Sequence, residues 1–135
     1  MRLIYLSEKF YTQYGKYSEI LKKETRPYAC LAVLIDGMTF AIPFRHHINH
    51  SYSFITSGTQ GLDYSKAVVI EDEEYISPLP VWIETSDFNA IKGREARIVN
   101  GMRKYYHLYL KAVENRDNPH YANIFNFSTL KYFIK

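Results

Sequence analysis

Tyr28-Ala29-Cys30-Leu31-Ala32-Val33-Leu34-Ile35-Asp36-Gly37-Met38-Thr39-Phe40-Ala41-Ile42-Pro43 is the stretch that decides the fold of this chain. Tyr28 to Ile35 is an unbroken apolar run of strand length, which reads as a strand buried on both faces. Asp36-Gly37 is a residue pair suited to a two-residue hairpin turn, where both central residues take positive φ. Met38 to Pro43 returns as the partner strand, and Pro43, with no N–H to give a ladder, is expected to end it. Antiparallel pairing is therefore built into the sequence.

On the N-terminal side, residues 2–6 read as a first strand. Ser7 is placed to cap a helix running to about Lys23, with Phe10, Tyr11, Tyr14 and Tyr17 near helical spacing. Gly15 is a possible break, and Arg26-Pro27 ends the segment because the residue before proline avoids helical angles. On the C-terminal side, Phe44 to Ser51 reads as a loop at the sheet rim and Thr56 to Gly61 as a turn. Lys66 to Ile70 reads as a buried strand and Val81 to Ile83 as a short one. Ser86 is expected to cap a short helix that stops at Lys92-Gly93. Arg97 to Glu114 is the main amphipathic helix. Ile98, Met102, Tyr105, Tyr106, Tyr109 and Val113 lie on one face and Lys104, His107 and Lys111 on another, with Gly101 a soft spot. A last helix starts at Ser128 or Thr129. Strands mostly precede helices, so the fold class is α+β, a curved antiparallel sheet with helices packed on it.

The chain has 135 residues, the length of one domain (1–135), and 47% hydrophobic residues, enough for a packed core. No stretch approaches the ~20 apolar residues of a membrane span. The start, Met1 to Leu6, is too short for a signal-peptide core, and the lone Cys30 lies in an apolar run, so a cytoplasmic, reducing setting and no membrane partner are expected. A net charge of +3 permits a phosphate-bearing partner without demanding one. The 13 tyrosines suit either a core or stacking on splayed bases. Loops that cradle nucleotide phosphates or dinucleotides, zinc-protease helices and serine-hydrolase elbows are all missing from the sequence, which disfavours those chemistries.

Arg45-His46-His47-Ile48-Asn49-His50 concentrates three histidines and an arginine at a buried strand's end. Histidine suits proton transfer near neutral pH, and arginine suits phosphate contact. Cleaving RNA without a metal needs both: a base for the 2′-OH, an acid for the leaving 5′ oxygen, and cations for the charged transition state. The same loop reads equally well as an exposed polar segment with incidental histidines. A metal site on His46 and His50 is a third reading, weakened by the absence of cysteine or clustered acids nearby. Arg26 and Arg45 sit at the outer ends of the two hairpin strands, which brings them towards each other. Lys66 and Asp63 add a cation and its possible ion-pair partner.

Four segments carry a resemblance to a known family. They are Arg26-Pro27-Tyr28; Asp36 to Arg45; Gly61-Leu62-Asp63-Tyr64-Ser65-Lys66-Ala67-Val68-Val69-Ile70; and Phe127-Ser128-Thr129-Leu130-Lys131-Tyr132-Phe133. In order and spacing they resemble the ToxN–AbiQ superfamily of type III toxin–antitoxin endoribonucleases, particularly its CptN and TenpN branches. The resemblance implies a compact, barrel-like sheet and metal-free cleavage of cellular RNA, with no cofactor and no metal. It also implies inhibition by a repeated, folded, pseudoknotted antitoxin RNA in a higher-order protein–RNA assembly. Arg26 takes the place of a family lysine, and Arg45 and His46 take that of a family Thr-Ser pair. Lys66 falls in the Ser-Lys pattern. The catalytic set implied is thus Arg26, Arg45, His46 and Lys66, with His46 moving the proton. Tyr28, His47, Asn49, His50, Asp63 and Ser65 are expected to contact RNA at the rim, and Lys104 and Lys111 to extend the footprint. In an extended loop His47 would point away from His46, and His50 would lie further out. A non-catalytic RNA-binding module on the same basic rim, or a structural protein whose tyrosines are only core, are the rival readings.

Overall fold

The computed structural model describes residues 2–21 and 27–134. Strands β1 (Arg2–Tyr5), β2 (Ala29–Ile35) and β3 (Met38–Arg45) form an antiparallel meander. Asp36 and Gly37 take φ of 52° and 77°, both positive, as a two-residue hairpin turn requires. The β2–β3 register runs from Ile35 opposite Met38 to Cys30 opposite Pro43.

Pro43 does not end its strand; β3 continues to Arg45. The register explains why. Counting from the closing pair Ile35–Met38, Cys30–Pro43 is a non-hydrogen-bonded pair, so the proline nitrogen faces away from β2. On that far edge β3 pairs with β6 (Val68–Val69) through Phe40 and Ala41, and with β5 (Gln60–Asp63) through Phe44 and Arg45. Between β5 and β6 the chain leaves the sheet as a 3-10 turn, Tyr64–Lys66. Pro43 falls opposite this interruption, where no donor is required.

The turn expected over residues 56–61 joins two strands that sequence reading did not name, β5 and the edge strand β4 (Ser53–Ser57). The order is β1-β2-β3-β5-β4, with β6 on β3. All the strand pairs are antiparallel, so the α+β class holds, but the sheet is open and not closed into a barrel. The strand expected over 66–70 shrinks to β6, because Lys66 belongs to the 3-10 turn. Residues 81–83 are irregular: Pro78 and Pro80 break the approach, and the Trp82 amide bonds the Tyr5 hydroxyl in place of a ladder.

The described residues form four helices. Helix α1 (Glu8–Tyr14) is capped by Ser7, whose hydroxyl accepts from the Phe10 amide, and stops at Gly15, well short of Lys23. Helix α2 (Thr85–Ile91) starts one residue before Ser86, which therefore does not cap it. Helix α3 (Glu95–Glu114) buries Ile98, Met102, Tyr105, Tyr106 and Tyr109, as its periodicity dictates. Gly101 is there for a packing reason: a Cβ would stand 2.3 Å from the Tyr64 hydroxyl, which donates to the Ile98 carbonyl at 3.0 Å. Helix α4 (Pro119–Phe127), capped by Asn118 with Pro119 in its first turn, was not anticipated. What was expected to be a last helix at Ser128 is a single 3-10 turn, Thr129–Tyr132.

One sheet face (Leu31, Val33, Ile35, Phe40, Ile42, Phe44) packs on α3, and the other (Cys30, Ala41, Val68) packs on α1 through Phe10. β2 is thus covered on both faces except at Leu34, which is 69% exposed beside the hairpin turn. Burial pushes the Cys30 thiol up to about 12, leaving it a packing group. No described helix is long and apolar enough to cross a membrane.

Candidate functional site

Asp63 closes β5 at the point where the chain leaves the sheet, and its side chain is fully buried. Its Oδ1 accepts from the Ser65 amide at 2.9 Å and the Ser65 hydroxyl at 2.6 Å, capping the 3-10 turn. Its Oδ2 accepts from Arg45 Nη1 at 3.0 Å and faces His50 Nε2 at 3.2 Å. A carboxylate without water survives burial only when its lone pairs are used this fully. The result is that β3's last residue, the loop after it and the turn after β5 are tied to one atom group.

The backbone delivers His50 by reversing direction. His47 has a φ of 59°, Ile48 is buried, and the Ile48 amide bonds the Thr59 carbonyl at 2.8 Å. The loop is therefore not extended. The Tyr52 amide donates to His50 Nδ1 at 3.1 Å, so in the neutral ring the hydrogen sits on Nε2, aimed at Asp63 and at Ser65 Oγ 3.3 Å away. This is not a nucleophile triad, because Ser65 gives its proton to Asp63 and both carboxylate and hydroxyl meet the same ring nitrogen.

Lys66 is half-buried beside them. Its Nζ donates to the Phe127 carbonyl at 3.1 Å, and burial lowers its pKa, with Arg45 adding to the fall and Asp63 opposing it. The 3-10 turn is braced by the fully buried Thr129, whose hydroxyl reaches the Ser65 and Ala67 carbonyls. Two of the quoted segments, 61–70 and 127–133, thus touch at Lys66.

Arg45, His50, Ser65 and Lys66 line a cleft of about 520 Å³ with Asn49, Tyr52, Tyr105, His120, Asn123 and Phe127, and Asp63 lies buried behind them, out of reach of the RNA contact expected of it. Tyr105 comes from α3; His120, Asn123 and Phe127 come from α4. Burial raises the Tyr105 hydroxyl's pKa despite a hydrogen bond with Ser128, so it stays a neutral donor. The cleft presents two cations, two imidazoles, two amides and three aromatic rings on one concave surface.

Of the residues singled out in sequence, Arg45, Lys66, Asn49, His50, Asp63 and Ser65 meet here. His46 does not. It follows Arg45 at the strand end and lines a different pocket, of about 210 Å³, with Tyr28, Trp82, Glu84 and Asp87. Those carboxylates disfavour phosphate there, and of the three loop histidines it is His50 that lines the cleft. His47 is exposed, and Tyr28 lies with His46. Lys104 and Lys111 part company: Lys104 lines a groove with β4, while Lys111 sits 5.6 Å from the Tyr121 ring centroid. Arg26 lies outside the described residues. Sequence reading missed Tyr52, Tyr105, His120 and Asn123. The Asn118-Pro119 start signal was the one clue that could have placed His120 on a helix. Among the described residues no three His, Cys, Asp or Glu side chains gather as a metal site would need.

No family model matches this chain, and neither does any curated protein or solved structure.

Proposed function

We propose that this chain is a metal-independent endoribonuclease toxin of the type III kind, acting in the cytoplasm and restrained by a folded antitoxin RNA. The observation that carries the reading is the cleft: Arg45 and Lys66 converge with His50 and His120 on a surface walled by Tyr52, Tyr105 and Phe127. Cations suit a phosphate, and flat rings suit unstacked bases, which is the pattern of single-stranded RNA recognition. The 61–70 and 127–133 segments meet beside this cleft, through Lys66 on the Phe127 carbonyl and Thr129 on the Ser65 carbonyl.

In this reading the substrate 2′ oxygen attacks the adjacent phosphorus and the bond to the 5′ oxygen breaks, leaving a 2′,3′-cyclic phosphate and a 5′-OH. Arg45, aimed by Asp63, and Lys66 stabilise the charge on the phosphoryl oxygens. The leaving oxygen takes its proton from the Lys66 ammonium, while His50, whose Nδ1 accepts from the Tyr52 amide and whose Nε2 faces Asp63, holds that carboxylate in place. His120, exposed on α4, takes the 2′ proton. A repeated antitoxin RNA competes for the same cations and joins several copies into a larger assembly.

A non-catalytic RNA-binding module is favoured by one observation: both His50 nitrogens, both Asp63 oxygens and the Ser65 hydroxyl already have internal partners. Incubating the protein with end-labelled single-stranded RNA in EDTA separates the two. Cleavage to cyclic-phosphate ends supports the enzyme; binding with intact RNA supports the module.

A further inference from the structure

Beside the cleft runs a second, larger groove of about 1270 Å³ between β4 and the flank of α3. Its α3 side carries Arg94, Arg97 and Lys104 on one stripe at helical spacing, about 15 Å from end to end at ~1.5 Å per residue. Its β4 side carries Phe54 and Ile55, and Arg97 lies 6.0 Å from the Phe54 ring centroid. None of the residues lining it is acidic. Tyr52 and Tyr105, with ring centroids 5.5 Å apart, line both this groove and the cleft. The two depressions are therefore contiguous across a wall of two tyrosines.

We infer that this groove is an extended subsite for single-stranded RNA, continuous with the strand whose phosphate sits between Arg45 and Lys66. The inference rests on the proposed RNA cleft and adds its direction and length. A strand leaving the cleft crosses the Tyr52–Tyr105 wall, stacks near Phe54 and sets its phosphates against Lys104, Arg97 and Arg94. A row of cations without carboxylates, bordered by aromatic rings, matches a polyanion carrying flat bases. An acidic peptide would use the cations but leave the rings unmatched. A duplex, with its bases stacked inside, could not use the rings either.

The test uses non-cleavable 2′-O-methyl RNAs of 3 and 12 nucleotides, binding the full chain across a salt series. The 12-mer should bind at least about 10-fold more tightly than the 3-mer and with a steeper salt slope. Replacing the two distal cations, Arg94→Gln with Arg97→Gln, should remove most of that advantage. The slope should fall by about 1.4, at ~0.7 per lost single-strand phosphate contact, with 3-mer binding unchanged. Equal affinity for both lengths overturns the proposal, as does a 12-mer indifferent to the double substitution. Tighter binding of a 12-base-pair duplex, or equal binding of a glutamate 12-mer peptide, also overturns it. Failure of the cleft reading is seen separately, as 3-mer binding that ignores Arg45→Ala. A 12-mer still sensitive to Arg94 and Arg97 would then leave the groove standing as an RNA site.

Discussion

Arg45 Nη1 donates to Asp63 Oδ2 across 3.0 Å, joining the end of β3 to a carboxylate that has no exposure of its own. The pair does two jobs, holding a buried charge neutral and fixing where a guanidinium points. Removing either partner separates them. Asp63→Asn should cost about 3–5 kcal/mol of stability, because the site loses a buried, fully bonded carboxylate. Arg45→Ala should lower single-turnover cleavage by roughly 30- to 1,000-fold, the equivalent of about 2–4 kcal/mol of transition-state stabilisation. Arg45→Lys should recover stability better than rate, since ammonium lacks the planar fork. Denaturant melts and cleavage rates measured on the same preparations check both; full activity in Arg45→Ala at equal folded fraction would displace the proposed site.

His50 and His120 line the cleft and His46 does not. His120→Ala should slow cleavage by about 100-fold or more, the usual range for a lost base, and His50→Ala should slow it less, by loosening Asp63 and so Arg45. His46→Ala should stay within about twofold of the parent. A ranking in which His46 is the most damaging position would return proton transfer to the rim pocket with Tyr28 and Trp82.

Lys66 has a pKa lowered chiefly by burial. Between its lowered folded value and the ordinary lysine range, the unfolded chain binds more protons, so this group makes stability rise with pH. RNA binding runs the other way, because the cation that meets phosphate is lost as pH rises through the folded value. Affinity for RNA should therefore weaken on the alkaline side before ordinary lysines titrate. Lys66→Arg should remove that alkaline limb, as guanidinium stays charged. A variant whose affinity falls along the same curve would assign the limb to another group.

Glu19 ties the segment after α1 to the C-terminal turn. Burial pushes its pKa up, but hydrogen bonds from Tyr132, Ser18 and Lys131 outweigh it and hold the carboxyl down at about 2. A depressed carboxylate contributes stability above its unfolded pKa and loses it as pH falls towards the folded value. Glu19→Gln should cost about 1–2 kcal/mol at neutral pH, discounted for the water around the pair, and almost nothing near pH 2. A pH-independent difference would mean that Glu19 acts through packing.

Gly101→Ala tests the close approach of Tyr64 to α3. Alanine is the better helix former by about 1 kcal/mol, so propensity alone predicts stabilisation. The added Cβ would meet the Tyr64 ring well inside contact distance. A net loss of about 1–3 kcal/mol is expected from overpacking. Combining it with Tyr64→Phe, which deletes the closest atom, should recover part of the loss; melting temperatures of the four combinations decide.

The sequence by itself determined the central hairpin, since Asp36-Gly37 between two apolar runs allows few other arrangements. It determined the buried stripe of α3, because Ile98, Met102, Tyr105 and Tyr109 recur at helical spacing. Residue type marked Arg45 and Lys66 as candidate cations, while the Ser65-Lys66 pattern was singled out through the family resemblance. The sequence could not determine which histidine joins them. That depended on His47 turning the loop back and on Ile48 docking against the β4–β5 turn, both long-range packing events with no local signature. It missed β4, a five-residue edge strand with Phe54 and Ile55 as its apolar residues, and α4, whose Asn118-Pro119 start signal was passed over. Only the folded chain could bring Tyr52 from the sheet edge, Tyr105 from α3 and His120 from α4 to one concave surface. Spacing along a sequence encodes neighbours within an element. Proximity between elements is set by which buried faces must meet.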